Sequence, residues 1–139
     1  MKKYTILGTK IDEINRNNII YPKEILQKAI DEYMLKDKYE RIGLYDYPED
    51  FIVIDMSKKA FVVEFLNIVD NQLVASISTL ETPFGDEIDK LVADNGINSL
   101  RIDFLSAATL EESNTIKNLV IVCPVIIKYE NWAWNKNII

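Results

Sequence analysis

Few residues in this chain have the chemistry for catalysis. Among its 139 residues there is no histidine and a single cysteine, Cys123. A serine hydroxyl is a weak nucleophile and takes its reactivity from an adjacent base, and the commonest such base is missing throughout. Ser57 beside Lys58 and Lys59 offers a formal Ser-Lys pair. Neighbours on a strand point to opposite faces, so that pair is badly aimed. Cys123 stands in an apolar run and, with no histidine to activate it, reads as a small buried hydrophobe. A zinc site needs clustered His or Cys ligands. Asp86, Glu87 and Asp89 share a helical stretch and read as a solvated acidic face. No glycine-rich phosphate loop is present, and no cofactor is expected. Tyr45 and Tyr47 alternate across an extended stretch, one ring to pack and one to face solvent. Trp132 and Trp134 are the candidate interface anchors, since aromatics carry interface hot spots; docking of this tail onto the chain's own barrel is the competing reading.

The composition is that of an ordinary globular chain, 48% hydrophobic and 27% charged, with four glycines and four prolines. Its length suits a single domain over residues 1–139, large enough to bury a core without disulfides or metals. Sixteen basic and 22 acidic side chains leave a net charge of −6. That balance, with no basic cluster, excludes phosphate-backbone binding, so no nucleic-acid partner is expected. No apolar run is long enough to span a bilayer, and the opening residues lack a secretory leader's pattern. One cysteine permits no intrachain disulfide and fits a reducing compartment.

The elements that must position these residues follow from periodicity. Residues 3–8 read as a first strand and Asp12 to Asn18 as a turn-rich segment. Pro22 is placed as the first residue of a helix over 22–35, whose stripe is Ile25, Leu26, Ala29, Ile30, Tyr33 and Met34. Strands are predicted over 51–56 and 61–69. Asp70-Asn71 then makes a tight hairpin turn into a strand over 72–80, with Leu73, Ala75 and Ile77 on one face. Thr82-Pro83-Phe84-Gly85 leads into a short helix with Ile88, Leu91 and Val92 buried, capped near Asn95-Gly96. Leu100 to Leu105 alternates as a strand, and Glu111 to Asn114 is a turn. Residues 119–129 form a long apolar strand in which Pro124 marks an edge or a bulge. The sum is an α+β fold: a mainly antiparallel, closed or partly closed barrel-like domain with one long and one short helix.

Three stretches, in order, resemble the prohead proteases of tailed bacteriophages, capsid-maturation serine proteases whose fold is shared with the herpesvirus assemblins. Asn15-Arg16-Asn17-Asn18-Ile19-Ile20-Tyr21-Pro22 is similar to the family's Asn-Arg-Asn-Gly-Arg-Ile-Tyr-Pro opening. Gly43-Leu44-Tyr45-Asp46-Tyr47-Pro48-Glu49 is similar to its Gly-Glu-Leu-Asp-His-Pro-Glu, whose histidine is the general base. The hairpin over 61–80, followed by Leu80 to Gly85 and a helix ending near Gly96, matches the order that leads in the family to the nucleophile strand. The resemblance covers roughly residues 4 to 106. It places Tyr47 at the histidine position, and Ile102 or Asp103 at the serine position. Ser99 and Ser106 flank that position without matching it.

The resemblance therefore implies a pseudoprotease: degenerate catalytic positions Tyr47 and Asp103, no cofactor, and a structural role in a phage head as an auxiliary capsid or core- or scaffold-associated protein. The implied partners are capsid or scaffold proteins and further copies of the chain itself. The implied location is the virion, or the host cytoplasm during assembly. Two alternatives stand beside it: an active maturation protease with an atypical catalytic group, and an unrelated small binding module. The resemblance also implies that Tyr47 lies beside the strand of residues 100–106.

Overall fold

The computed structural model describes residues 1–49 and 56–135. Six strands form one sheet: β1 (Lys3–Lys10), β2 (Ile42–Tyr45), β3 (Lys59–Val69), β4 (Gln72–Thr79), β5 (Leu100–Leu110) and β6 (Ile116–Lys128), in the order β1-β4-β3-β2-β6-β5. All neighbours pair antiparallel except β2 and β6, which are parallel. The expected barrel is thus a curled, partly closed sheet of mainly antiparallel strands. Its two edges meet without a ladder: a Cβ on Gly8 of β1 would lie 2.7 Å from both the Ile102 side chain and its carbonyl on β5. Only a residue without a side chain fits that approach.

Two helices cover the sheet, α1 (Lys23–Tyr33) and α2 (Pro83–Asn95). Pro22 is the cap before α1 rather than its first residue. Its φ of −67° and ψ of 144° are extended, and its carbonyl accepts the Leu26 N–H at 3.1 Å. Leu26, Ala29, Ile30 and Tyr33 are buried as the stripe predicts, with Ile25 and Met34 half-buried. The length ranking is reversed, since α2 has 13 residues and α1 has 11. Thr82 explains the longer reach of α2: its side chain accepts the Gly85 N–H at 3.0 Å and Pro83 opens the first turn. Gly96, at φ 83°, stops the helix.

The hairpin turn is as expected: Asp70 and Asn71 both adopt positive φ, 51° and 61°, and Leu73, Ala75 and Ile77 are buried. The strand expected over 51–56 lies outside the described residues except for Met56, which opens a one-turn 3-10 segment, Met56–Lys58. Pro124 is not on an edge strand, because β6 lies between β2 and β5. The bulge reading stands instead. The β5–β6 register shifts where Leu105 pairs with Cys123 and Ser106 with Ile121, next to Pro124.

The main core lies between the sheet's inner face and the helices, built from Ile6, Leu26, Ile30, Phe61, Leu73, Ile77, Ile88, Ile102 and Ile126 among others. Gly43 serves it directly. It pairs with Phe61 across β2 and β3, and a Cβ there would sit 2.0 Å from the Phe61 ring. The ring fills the space that the missing side chain leaves.

Candidate functional site

On β5, Leu100, Ile102 and Phe104 are buried in the main core, so Arg101, Asp103 and Leu105 face outward. Asp103 pairs with Val125 of β6, and Val125 in turn pairs with Leu44 of β2. β2 then ends in a turn. Asp46 adopts a positive φ of 64°, its N–H donates to the Ile126 carbonyl at 2.8 Å, and its side chain accepts the Tyr47 N–H at 2.8 Å. That turn aims Tyr47 across β6, and its hydroxyl donates a short hydrogen bond to Asp103 Oδ2. Fifty-six residues separate the two in sequence, and the structure brings them together as the motif order implied.

Electrostatics hold the pair in one state. Burial pushes the Asp103 carboxyl above its ordinary range, against the pull of the Tyr47 hydroxyl and the Phe104 N–H, which both stabilise the charged form. Burial first, then the Asp103 charge, pushes the Tyr47 phenol far above its ordinary range, although Tyr47 keeps 37% of its surface exposed. Tyr21 is pushed up to about 12 by burial and by Asp103. A phenol held this firmly in its protonated form is a hydrogen-bond donor and a poor proton acceptor near neutral pH. The arrangement offers a carboxylate where a hydroxyl nucleophile would be needed, and a donor where a base would be needed.

The remaining sequence candidates go elsewhere. Ser99 closes a 3-10 turn, Ile97–Ser99, and donates to the Gly96 carbonyl at 2.7 Å. Ser106 is exposed on β5 beyond the pair. Ser57 and Lys58 lie on the 3-10 turn rather than on a strand, and Lys59 begins β3. Cys123 is buried, and burial pushes its thiol up to about 11. The acidic trio is not uniformly solvated: Asp89 is half-buried and accepts from the Tyr4 and Thr79 hydroxyls, both at 2.9 Å. Tyr45 packs against the main core and Tyr47 meets solvent, the division that alternation suggests.

Trp132 and Trp134 do not stand at the surface as contact anchors. They are 4% and 7% exposed and pack on Val125 and Ile127 of β6, forming a second hydrophobic cluster on the outer face. Sequence reasoning missed the residues that complete it. Tyr21 stacks at 5.7 Å from Trp134, and the Arg101 guanidinium lies 4.7 Å from the Tyr129 ring centre and 4.9 Å from that of Trp132. Outward placement of Arg101 on an alternating strand was the one available signal; which rings it would meet depends on the fold.

No family model matches the chain, and no curated protein does. Among solved structures, the bacteriophage T4 capsid assembly protease superposes with a TM-score of 0.74 at 17% identity, over 90% of this chain and 80% of that one. The fold is prohead-protease-like. An identity of 17% carries the architecture and leaves the chemistry to be argued from the site itself.

Proposed function

We propose that this chain is a non-catalytic phage-head protein, a pseudoprotease retained as an auxiliary capsid or core- or scaffold-associated component. The observation that carries this reading is the Tyr47–Asp103 hydrogen bond. The motif order assigns base and nucleophile to these two positions, and the two side chains there satisfy each other instead of forming a nucleophile–base pair. A fold that has lost its chemistry can still serve as a binding surface, and capsid or scaffold proteins are the partners this fold suggests. The virion, or the host cytoplasm during assembly, is the matching location. The link to herpesvirus assemblins rests on the same motif order.

A serine-directed fluorophosphonate probe tests the reading. The wild-type chain is expected to stay unlabelled, and Tyr47→His alone is expected to change nothing, because a base without its nucleophile gives little. The double variant Tyr47→His/Asp103→Ser is expected to label weakly, at residue 103. Labelling of the wild type at a single serine, or specific cleavage of capsid or scaffold precursor by it, would overturn the proposal.

A further inference from the structure

β6 ends at Lys128, and the chain reverses through a 3-10 turn, Tyr129–Asn131, so that residues 132–135 double back over the strand that carries them. The seat is the outer face of β6. Val125 and Ile127 point away from the main core and are nonetheless 0% and 1% exposed, under Trp132 and Trp134. Two bonds pin the strap to the loop before Tyr21: Arg16 N–H to the Ala133 carbonyl and Trp134 Nε1 to the Glu13 carbonyl, each 2.8 Å.

The seat is imperfect in one respect. Arg101 Nε and Trp132 Nε1 are buried donors without an acceptor, and both lie where the strap crosses β5. Buried unpaired donors charge the closed state a desolvation penalty that the open state does not carry. The strap's cluster is also separate from the main core, so opening it leaves the sheet and helices packed. Local opening below the global unfolding free energy is the expected behaviour of such a unit.

We propose that residues 129–135 form a releasable strap that exchanges between copies of this chain. The occupant follows from the seat: an identical strap from a second molecule makes the same aromatic contacts, the same two backbone-directed bonds and the same arginine contact. Exchange of an identical element is a low-cost route to association, because only the hinge changes. Straightening the Tyr129–Asn131 turn extends β6 outward and delivers Trp132 and Trp134 to a neighbour. The inference stands apart from the pseudoprotease reading. Strap exchange can fail in a chain that never labels, and a labelled chain can still exchange.

The experiment mixes two single variants, Arg16→Cys and Ala133→Cys, at high protein concentration in mild urea, followed by return to buffer and oxidation. Within one chain neither variant can form the bridge. Exchange places Cys at 16 of one chain beside Cys at 133 of the other, and the expected result is a hetero-linked dimer well above the statistical mixture with the two homodimers. A statistical mixture, or no cross-linked product, overturns the proposal. A second measurement uses the wild type. Both of its tryptophans are in the strap, so their emission should shift to the red at lower urea than the loss of far-ultraviolet dichroism. Coincident transitions would show that the strap does not open on its own and would overturn the proposal equally.

Discussion

The two faces of the β5–β6 pair are packed by different means. The inner face presents Leu100, Ile102, Phe104 and Ile126 to the main core, an aliphatic layer closed by helices with regular apolar stripes. The outer face presents Arg101, Asp103, Val125 and Ile127, closed by Tyr21, Tyr129, Trp132 and Trp134 from segments that are neither helix nor strand. The inner layer is non-directional burial, proportional to area. The outer layer depends on ring geometry, one carboxylate and a few directed bonds. One strand thus carries the stability of the domain on one side and its only built polar constellation on the other.

The comparison breaks first at Ile102. Replacing this fully buried side chain with alanine should cost about 2–5 kcal/mol. Because the loss is in the main core, dichroism and tryptophan emission should both shift to lower urea. A shift confined to the emission would mean that the two layers are reversed in importance.

Tyr47→Phe should cost less, about 1 kcal/mol, for a partly exposed donor to a carboxylate. In an Asp103→Asn background the same change should cost less still. Equal costs in the two backgrounds, read from urea midpoints, would show that the pair is not coupled.

Asp103→Asn itself should have the smallest effect at neutral pH, and its sign should change with pH. The folded-state carboxyl of Asp103 titrates above its ordinary value. The native state therefore binds that proton more tightly than the unfolded chain, and this group's contribution to stability grows as pH falls through its raised range. Wild type minus variant should thus drift in favour of the wild type on acidification. Other carboxylates cancel in that difference, including Glu64, which Lys38 and Ser78 hold below the ordinary range and which loses stability on acidification. A flat difference between neutral pH and pH about 4, near the reference carboxyl values, would show that burial does not act on Asp103.

The inner layer was legible in the sequence because its signals are local. The stripe of α1, the Asp70-Asn71 turn and the alternation of Leu100 to Leu105 each follow from backbone periodicity. Pro22 and Pro124 were misplaced because proline restricts the chain without choosing among the positions it permits: a cap or a first turn, an edge or a bulge. The Tyr47–Asp103 contact was reachable only through motif order, since no local pattern joins residues 56 positions apart. The tryptophans were read as surface anchors because two aromatics at alternate positions look alike whether a partner or the chain's own sheet receives them. What decided between these was the 3-10 turn at Tyr129–Asn131, which carries no proline, glycine or aspartate to announce itself.

The approach of Gly8 to Ile102 joins β1 and β5 by side-chain contact alone, among the described residues, while every other pair of neighbours in the sheet shares a ladder. The sheet is therefore a clip with one dry slit. Force applied across the slit is opposed by dispersion contacts that yield one after another, each worth only tenths of a kcal/mol. Force applied along the strands is opposed by rows of hydrogen bonds loaded together. The molecule is mechanically anisotropic, compliant to widening and stiff to shear, and the compliant line passes one residue from Asp103.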